Sequence, residues 1–166
     1  MEAVVGIIFN DNRTKVLLLK RRDVAVWVLP GGGVEPSETP EEAVVRETFE
    51  ETGFEVKIVR KIALYTPVNR LTRTTHFFEC TPIGGAAMTG PETQEIDFFA
   101  LGSLPIPLFP LHRDWLEDAL KNDASILQKP ITQVTYGTIL QYFLRYPIKM
   151  TRYLLSRLGM PINTQK

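Results

Sequence analysis

Glu47, Glu50 and Glu51 stand at i, i+3 and i+4 in the segment Arg46-Glu47-Thr48-Phe49-Glu50-Glu51-Thr52-Gly53. On an α-helix that spacing stacks all three carboxylates on one face, within about 100° of arc. Like charges held so close repel one another and cost an isolated helix stability. The arrangement becomes useful when a hard divalent cation sits among the oxygens, because Mg2+ and Mn2+ prefer oxygen ligands. The chemistry indicated is metal-assisted work on a polyanion. Arg46 is next to Glu47 and one turn from Glu50, where a guanidinium can fix a carboxylate by charge-assisted hydrogen bonds. Upstream lies Leu29-Pro30-Gly31-Gly32-Gly33. Successive glycines are entropically costly and suit a backbone that turns sharply or approaches a ligand. A carbonyl in this loop could supply a further metal oxygen.

The elements that must hold these groups are marked at both ends. Thr39-Pro40-Glu41-Glu42 reads as an N-cap, a first-turn proline and early acidic residues. Thr39 and Glu42 form a capping-box pair. Gly53 is placed to stop the helix as a left-handed residue. Val45, Phe49 and Thr52 lie opposite the carboxylates, so that face is expected to pack on the core. A solvated acidic helix explains a charge cluster. It does not explain Gly32, Glu38, Arg46 and Gly53 at fixed offsets from it.

The segment Gly32 to Phe54 resembles the Nudix box, the signature of the Nudix hydrolases, whose pattern is G-x5-E-x7-R-E-U-x-E-E-x-G-U with U bulky and apolar. All seven fixed residues are present. Thr48 stands at the first U position; its valine-like shape predicts a slightly weaker core contact and no lost chemistry. A looser resemblance runs from about residue 3 to residue 121. The resemblance implies an α/β/α sandwich with a mixed sheet, here followed by a C-terminal helical extension. It implies hydrolysis of a pyrophosphate bond in a nucleoside diphosphate linked to another moiety, with Mg2+ or Mn2+ as cofactor. By position, Glu50 and Glu51 are the main metal ligands and Glu47 is a ligand or the base. The Gly31 carbonyl matches a backbone ligand, Arg46 belongs to the catalytic set, and Glu38 supports the rim. Gly32 and Gly33 lie against the substrate. Related enzymes often add a downstream acid; Glu95 is chosen here, ahead of Glu92 and Asp97. Arg22 matches a substrate-contacting arginine, and reads equally as a charged strand edge. Subsidiary marks of NADH, coenzyme A or ADP-ribose hydrolases are not convincing, and the short N-terminal entry with Arg21-Arg22 is most similar to the MutT-type nucleoside triphosphate pyrophosphohydrolases. The rival reading is a non-catalytic nucleotide-binding Nudix domain acting through its C-terminal extension. A Nudix-fold isomerase would require a catalytic Cys80, whose apolar surroundings disfavour a thiolate.

With 166 residues, 44% hydrophobic and 23% charged, the chain fits one globular domain. One cysteine, Cys80, excludes an internal disulfide framework and suits a reducing compartment. Met1-Glu2 followed by a short apolar run does not read as a secretory leader, and a cytoplasmic location is expected. Strands are expected over residues 3–9, 15–22, 24–29, 55–64, 72–81 and 96–101, the first two as a hairpin across Asn10-Asp11-Asn12. Gly84-Gly85 is expected to open a loop, and residues 111–121 to form a second helix. Trp27 between valines reads as core before base-stacking. His76 and His112 have no ligand-like spacing and are assigned no role.

Charge divides the chain. All 19 acidic residues lie within residues 1–123 with 13 basic ones, a net of −6, and residues 124–166 carry six basic residues and no acid. The expected division is a Nudix domain at 1–125 and a basic, mostly helical extension at 126–166, split by Pro130 and Pro147 into two candidate helices. In the second, Met150, Thr151, Leu154, Leu155 and Leu158 share a side. The extension is read first as packing on the domain or on a second copy in a homodimer. An anionic membrane surface or RNA comes after that.

Overall fold

The structure is a computed structural model that describes residues 2–121, 124–148, 151 and 155. The element order is β1 (Ala3–Ile8), β2 (Lys15–Arg21), β3 (Trp27–Val28), β4 (Gly31–Gly33), α1 (Pro40–Thr52), β5 (Phe54–Pro67), β6 (Thr75–Gly85), β7 (Thr93–Ala100), α2 (Pro110–Leu120), β8 (Leu127–Ile131) and α3 (Tyr136–Arg145). A five-stranded mixed sheet runs β4-β1-β6-β5-β8, and a three-stranded sheet runs β3-β2-β7.

Strand alternation sorts the core into two layers. Val5 and Ile7 of β1, with Val16 and Leu18 of β2, pack toward Leu111, Trp115 and Leu116 of α2. Val4, Ile8 and Leu17 pack toward Ala43 and Val44 of α1. The result is an α/β/α sandwich with α1 and α2 on opposite faces. Trp27 is buried edge-on against Phe99, with ring centroids 4.6 Å apart, which makes it core. Cys80 is buried and burial pushes its thiol up to about 12, which removes the thiolate an isomerase would need.

α1 has the expected ends. The Thr39 hydroxyl accepts the Glu42 N–H at 3.2 Å and the Glu42 carboxylate accepts the Thr39 N–H at 2.8 Å. Gly53 closes the helix at φ 76°. Its buried face differs from expectation. Ala43, Val44, Thr48 and Thr52 are buried, Val45 is only partly so, and Phe49 is 45% exposed. The helix is rolled so that Thr48, not Phe49, meets Gly6 of β1. Thr48 is fully buried and its hydroxyl has no hydrogen-bond partner among the described residues. An unpaired buried hydroxyl costs about 1 kcal/mol or more. Thr48→Val should therefore stabilise the protein by about 1 kcal/mol and raise its melting temperature by about 3 °C, with turnover unchanged; a lower melting temperature would show that the hydroxyl is satisfied.

Three further expectations are corrected. β1 and β2 do not form a hairpin: past a single bridge at Phe9 and Val16 the chain crosses from one sheet to the other, β1 pairing with β4 and β6 and β2 with β3 and β7. The turn between them is wound around the Asn10 side chain, which accepts the Thr14 and Lys15 N–H groups at 2.9 and 2.7 Å. Gly84 and Gly85 do not open a loop; they end β6, opposite Glu55 and Phe54. Pro130 does not open the first candidate helix, which begins at Tyr136; it lies in β8, which joins β5 in parallel from Ala63↔Leu127 to Pro67↔Ile131. At a sheet edge its missing N–H is tolerated. The proposed second C-terminal helix falls almost wholly outside the described residues.

Candidate active site

The acidic face of α1 meets β4 at the glycine loop. Glu51 is tied there by the Gly31 N–H, which donates to its carboxylate at 2.8 Å. Burial pushes the Glu51 carboxyl up to about 8, against that hydrogen bond and with repulsion from Glu47 added. Burial likewise raises Glu47, against the pull of Arg46. A β-carbon at Gly32 would overlap the Glu47 carboxylate, so a side chain there would push that acid aside.

Arg46 organises the rest. It donates to Glu38 at 3.0 and 2.5 Å, to Glu47 at 3.0 Å, to Glu50 at 3.3 Å and to the Gly33 carbonyl at 3.1 Å. One guanidinium thus spans the rim acid, two of the three helix acids and the glycine loop. Its hydrogen bonds hold the Glu38 carboxyl below the ordinary carboxylate range. Glu38 also accepts the Glu35 N–H at 2.8 Å, which pins the turn before α1.

Among the described residues, no three acid, histidine or cysteine side chains form a closed cage for a cation. Glu50 turns toward Arg46 while Glu51 turns to Gly31. The donor set nevertheless fits a hard divalent ion by its chemistry. It offers carboxylate oxygens from one helical turn beside a glycine strand, with two of the acids raised by burial and mutual charge, the condition a cation would relieve.

The downstream acids separate by position. Glu95 lies opposite Lys20 in the β2–β7 ladder and pairs with it at 2.7 Å. Glu92 is the downstream carboxylate whose charge acts on Glu51, together with the Arg21 guanidinium. The path of the chain explains this. The Met88 N–H bonds to the Thr52 carbonyl at 2.9 Å at the end of α1, so residues 86–92 return alongside the helix. Arg22 then grips the returning segment. Its side chain donates to the Pro91 carbonyl at 3.2 Å and the Thr93 carbonyl at 2.9 Å, and its backbone N–H to the Glu92 carbonyl at 2.8 Å. Arg21 is fixed by a two-pronged pair with the buried Asp23 at 2.9 and 2.8 Å.

His112, whose spacing suggests no ligand role, has a structural one. Its Nδ1 accepts the Leu29 N–H at 2.8 Å, which fixes the proton on Nε2 and links α2 to the glycine loop. Burial lowers its pKa to about 3, so the ring is neutral. No sequence signal pointed to this contact or to Asp23, since each depends on elements far apart in the chain. Beside this region a cavity of about 700 Å³ opens between Val24 and Val26, the 106–111 segment and α3.

This fold and this helix have known counterparts. A model of the NUDIX domain matches residues 1–119. A putative 8-oxo-dGTP diphosphatase of Bacillus subtilis is 39% identical over 119 residues, covering 71% of this chain and 78% of that protein. An ADP-ribose pyrophosphatase of Methanocaldococcus jannaschii is 39% identical over 125 residues, covering 72% of each. Among solved structures, an ADP-ribose pyrophosphatase of Streptococcus suis superposes with a TM-score of 0.66 at 28% identity, over 78% of this chain and 97% of the other. The chain belongs to the Nudix family, and it is a hydrolase. Membership of a hydrolase family does not favour the non-catalytic reading.

Proposed function

We propose that this protein hydrolyses a pyrophosphate bond in a nucleoside diphosphate derivative, with Mg2+ or Mn2+ held by Glu50, Glu51 and the Gly31 carbonyl and with Glu47 as a further ligand or as the base. The observation that carries the reading is the joint placement of the three helix acids by Arg46 and by the Gly31 N–H. The names of both relatives describe cleavage of a diphosphate linkage, and Nudix hydrolases generally use divalent ions. A bound divalent ion supplies positive charge to the phosphate oxygens and acidifies water. Glu47, raised by burial, is placed to accept the proton from the attacking water. Arg46 keeps Glu47 and Glu50 oriented. Glu92, which acts on Glu51, takes the role of downstream acid in preference to Glu95, which is engaged by Lys20. Arg22 positions Glu92 through its hold on residues 91–93, a task compatible with a substrate contact made by Gly32 and Gly33.

The substrate is either a nucleoside triphosphate, as the likeness to MutT-type enzymes suggests, or a nucleoside diphosphate sugar. A release assay over 8-oxo-dGTP, the normal deoxynucleoside triphosphates and ADP-ribose, with Mg2+ and Mn2+ compared, decides between them. Pyrophosphate release from a triphosphate supports the first, and AMP release from ADP-ribose the second. Absence of any product across a broad panel of nucleotide diphosphate derivatives would overturn the proposal.

A further inference from the structure

The arginines about the acidic site are mostly committed to the protein itself. Arg46 is divided among Glu38, Glu47, Glu50 and the Gly33 carbonyl. Arg21 is locked to Asp23, and Arg22 to the carbonyls of Pro91 and Thr93. Arg73 is different. Among the described residues its guanidinium has no hydrogen-bond or ion-pair partner, although residues 1–123 carry a net of −6. A guanidinium has five donors and no acceptor, and its strongest partners are carboxylates and phosphates.

The fold aims this side chain at the glycine strand. Arg73 is exposed in the loop between β5 and β6, and its main chain is fixed. The Thr75 hydroxyl donates to the Arg73 carbonyl at 3.0 Å, and the Ala3 N–H to the Thr74 carbonyl at 2.9 Å. β1 lies between β6 and β4 in the sheet. The side chain crosses the end of β1, and its Nη1 stands 4.0 Å from the place a β-carbon would take at Gly33. β4 is the border strand, and its residues alternate in direction. Gly32 faces Glu47, whereas Gly33 faces Arg73. The metal-binding acids and the uncommitted guanidinium thus stand on opposite sides of one glycine edge.

That placement speaks to the substrate, on the reading that the acids and the Gly31 carbonyl hold the metal and the diphosphate that is cut. Gly33 is two residues further along the strand than Gly31, about 7 Å. An anion that meets Arg73 therefore lies beyond the cleaved diphosphate. A nucleoside diphosphate sugar has no charge there, and a nucleoside triphosphate has one more phosphate. We propose that Arg73 binds the third phosphate of a nucleoside triphosphate laid over the β4 edge at Gly33, and so selects triphosphates over diphosphate sugars.

The test is calorimetric titration of the full chain in Mg2+ with inorganic tripolyphosphate and with pyrophosphate. The unaltered protein should bind tripolyphosphate roughly tenfold more tightly. Arg73→Gln should remove that advantage and leave pyrophosphate binding unchanged, and Arg73→Lys should restore only part of it. Arg113→Gln, which removes an exposed charge on α2, should bind both probes as the unaltered protein does. Tripolyphosphate binding that survives Arg73→Gln, an equal loss for both probes, an equal loss in Arg113→Gln, or no binding of either probe would overturn the proposal. Neither probe carries a nucleoside and no turnover is read, so this result stands apart from a failure of the release assay.

Discussion

Glu50→Gln/Glu51→Gln should lose turnover by roughly a thousandfold or more while keeping its fold. That loss corresponds to about 4 kcal/mol of transition-state stabilisation, the order a bound cation supplies. The substitution preserves shape and removes two charges. Glu51 also gives a signature independent of turnover. Without a cation, burial pushes its carboxyl from the ordinary 4.5 up to about 8, so the folded state prefers the protonated form. Its contribution to stability is full below the unfolded value and is lost as pH rises through the folded one. Between those limits the slope is at most about 1.4 kcal/mol per pH unit. Thermal melts in chelator should therefore fall from about pH 5 to pH 8 in the unaltered protein, be flatter in the Gln variant, and recover on adding Mg2+. A variant with undiminished turnover would end the mechanistic reading; parallel pH curves would end the account of Glu51.

Arg46→Ala should lower kcat by roughly a hundredfold, the scale on which small misplacements of reacting groups act. The arginine reaches Glu38, Glu47, Glu50 and the Gly33 carbonyl at once. Without it, acids on adjacent turns repel with nothing between them, and the anchor between the glycine strand and α1 is lost. The melting temperature should fall as well. Arg46→Lys restores charge but not the fork, so it should recover much of the stability and little of kcat. If Lys recovers kcat in full, the arginine acts by charge alone and not by positioning.

The helix of this site was legible from local chemistry. Its caps, its acidic face and its glycine stop are set by residues within a few positions of one another, and each is where it was expected. The direction in which α1 rolls was not, because that depends on the strand it packs against: Phe49 reads as core by angle and is exposed, while Thr48 is buried. Strand positions were largely readable from alternation, but pairing was not. Nothing in Asn10 to Arg13 reveals that the chain leaves one sheet for another there. Residue type alone does not separate Glu92, Glu95 and Asp97, for a related reason. Glu95 has the right type, but its place in the β2–β7 ladder gives it to Lys20, and only the path of residues 86–92 brings Glu92 back toward Glu51.

The family model matches residues 1–119, and the sheet continues past them. β8 covers the flank of β5, and Lys129 reaches back to Asp118 at 2.6 Å, where Tyr65 and Lys121 also converge. A chain clipped after α2 would uncover a row of main-chain donors and acceptors along β5, the sort of ragged border that recruits other molecules. It would also strip a buried carboxylate of one counterion. A protease nick between α2 and β8 would thus be felt as insolubility before any catalytic residue was touched.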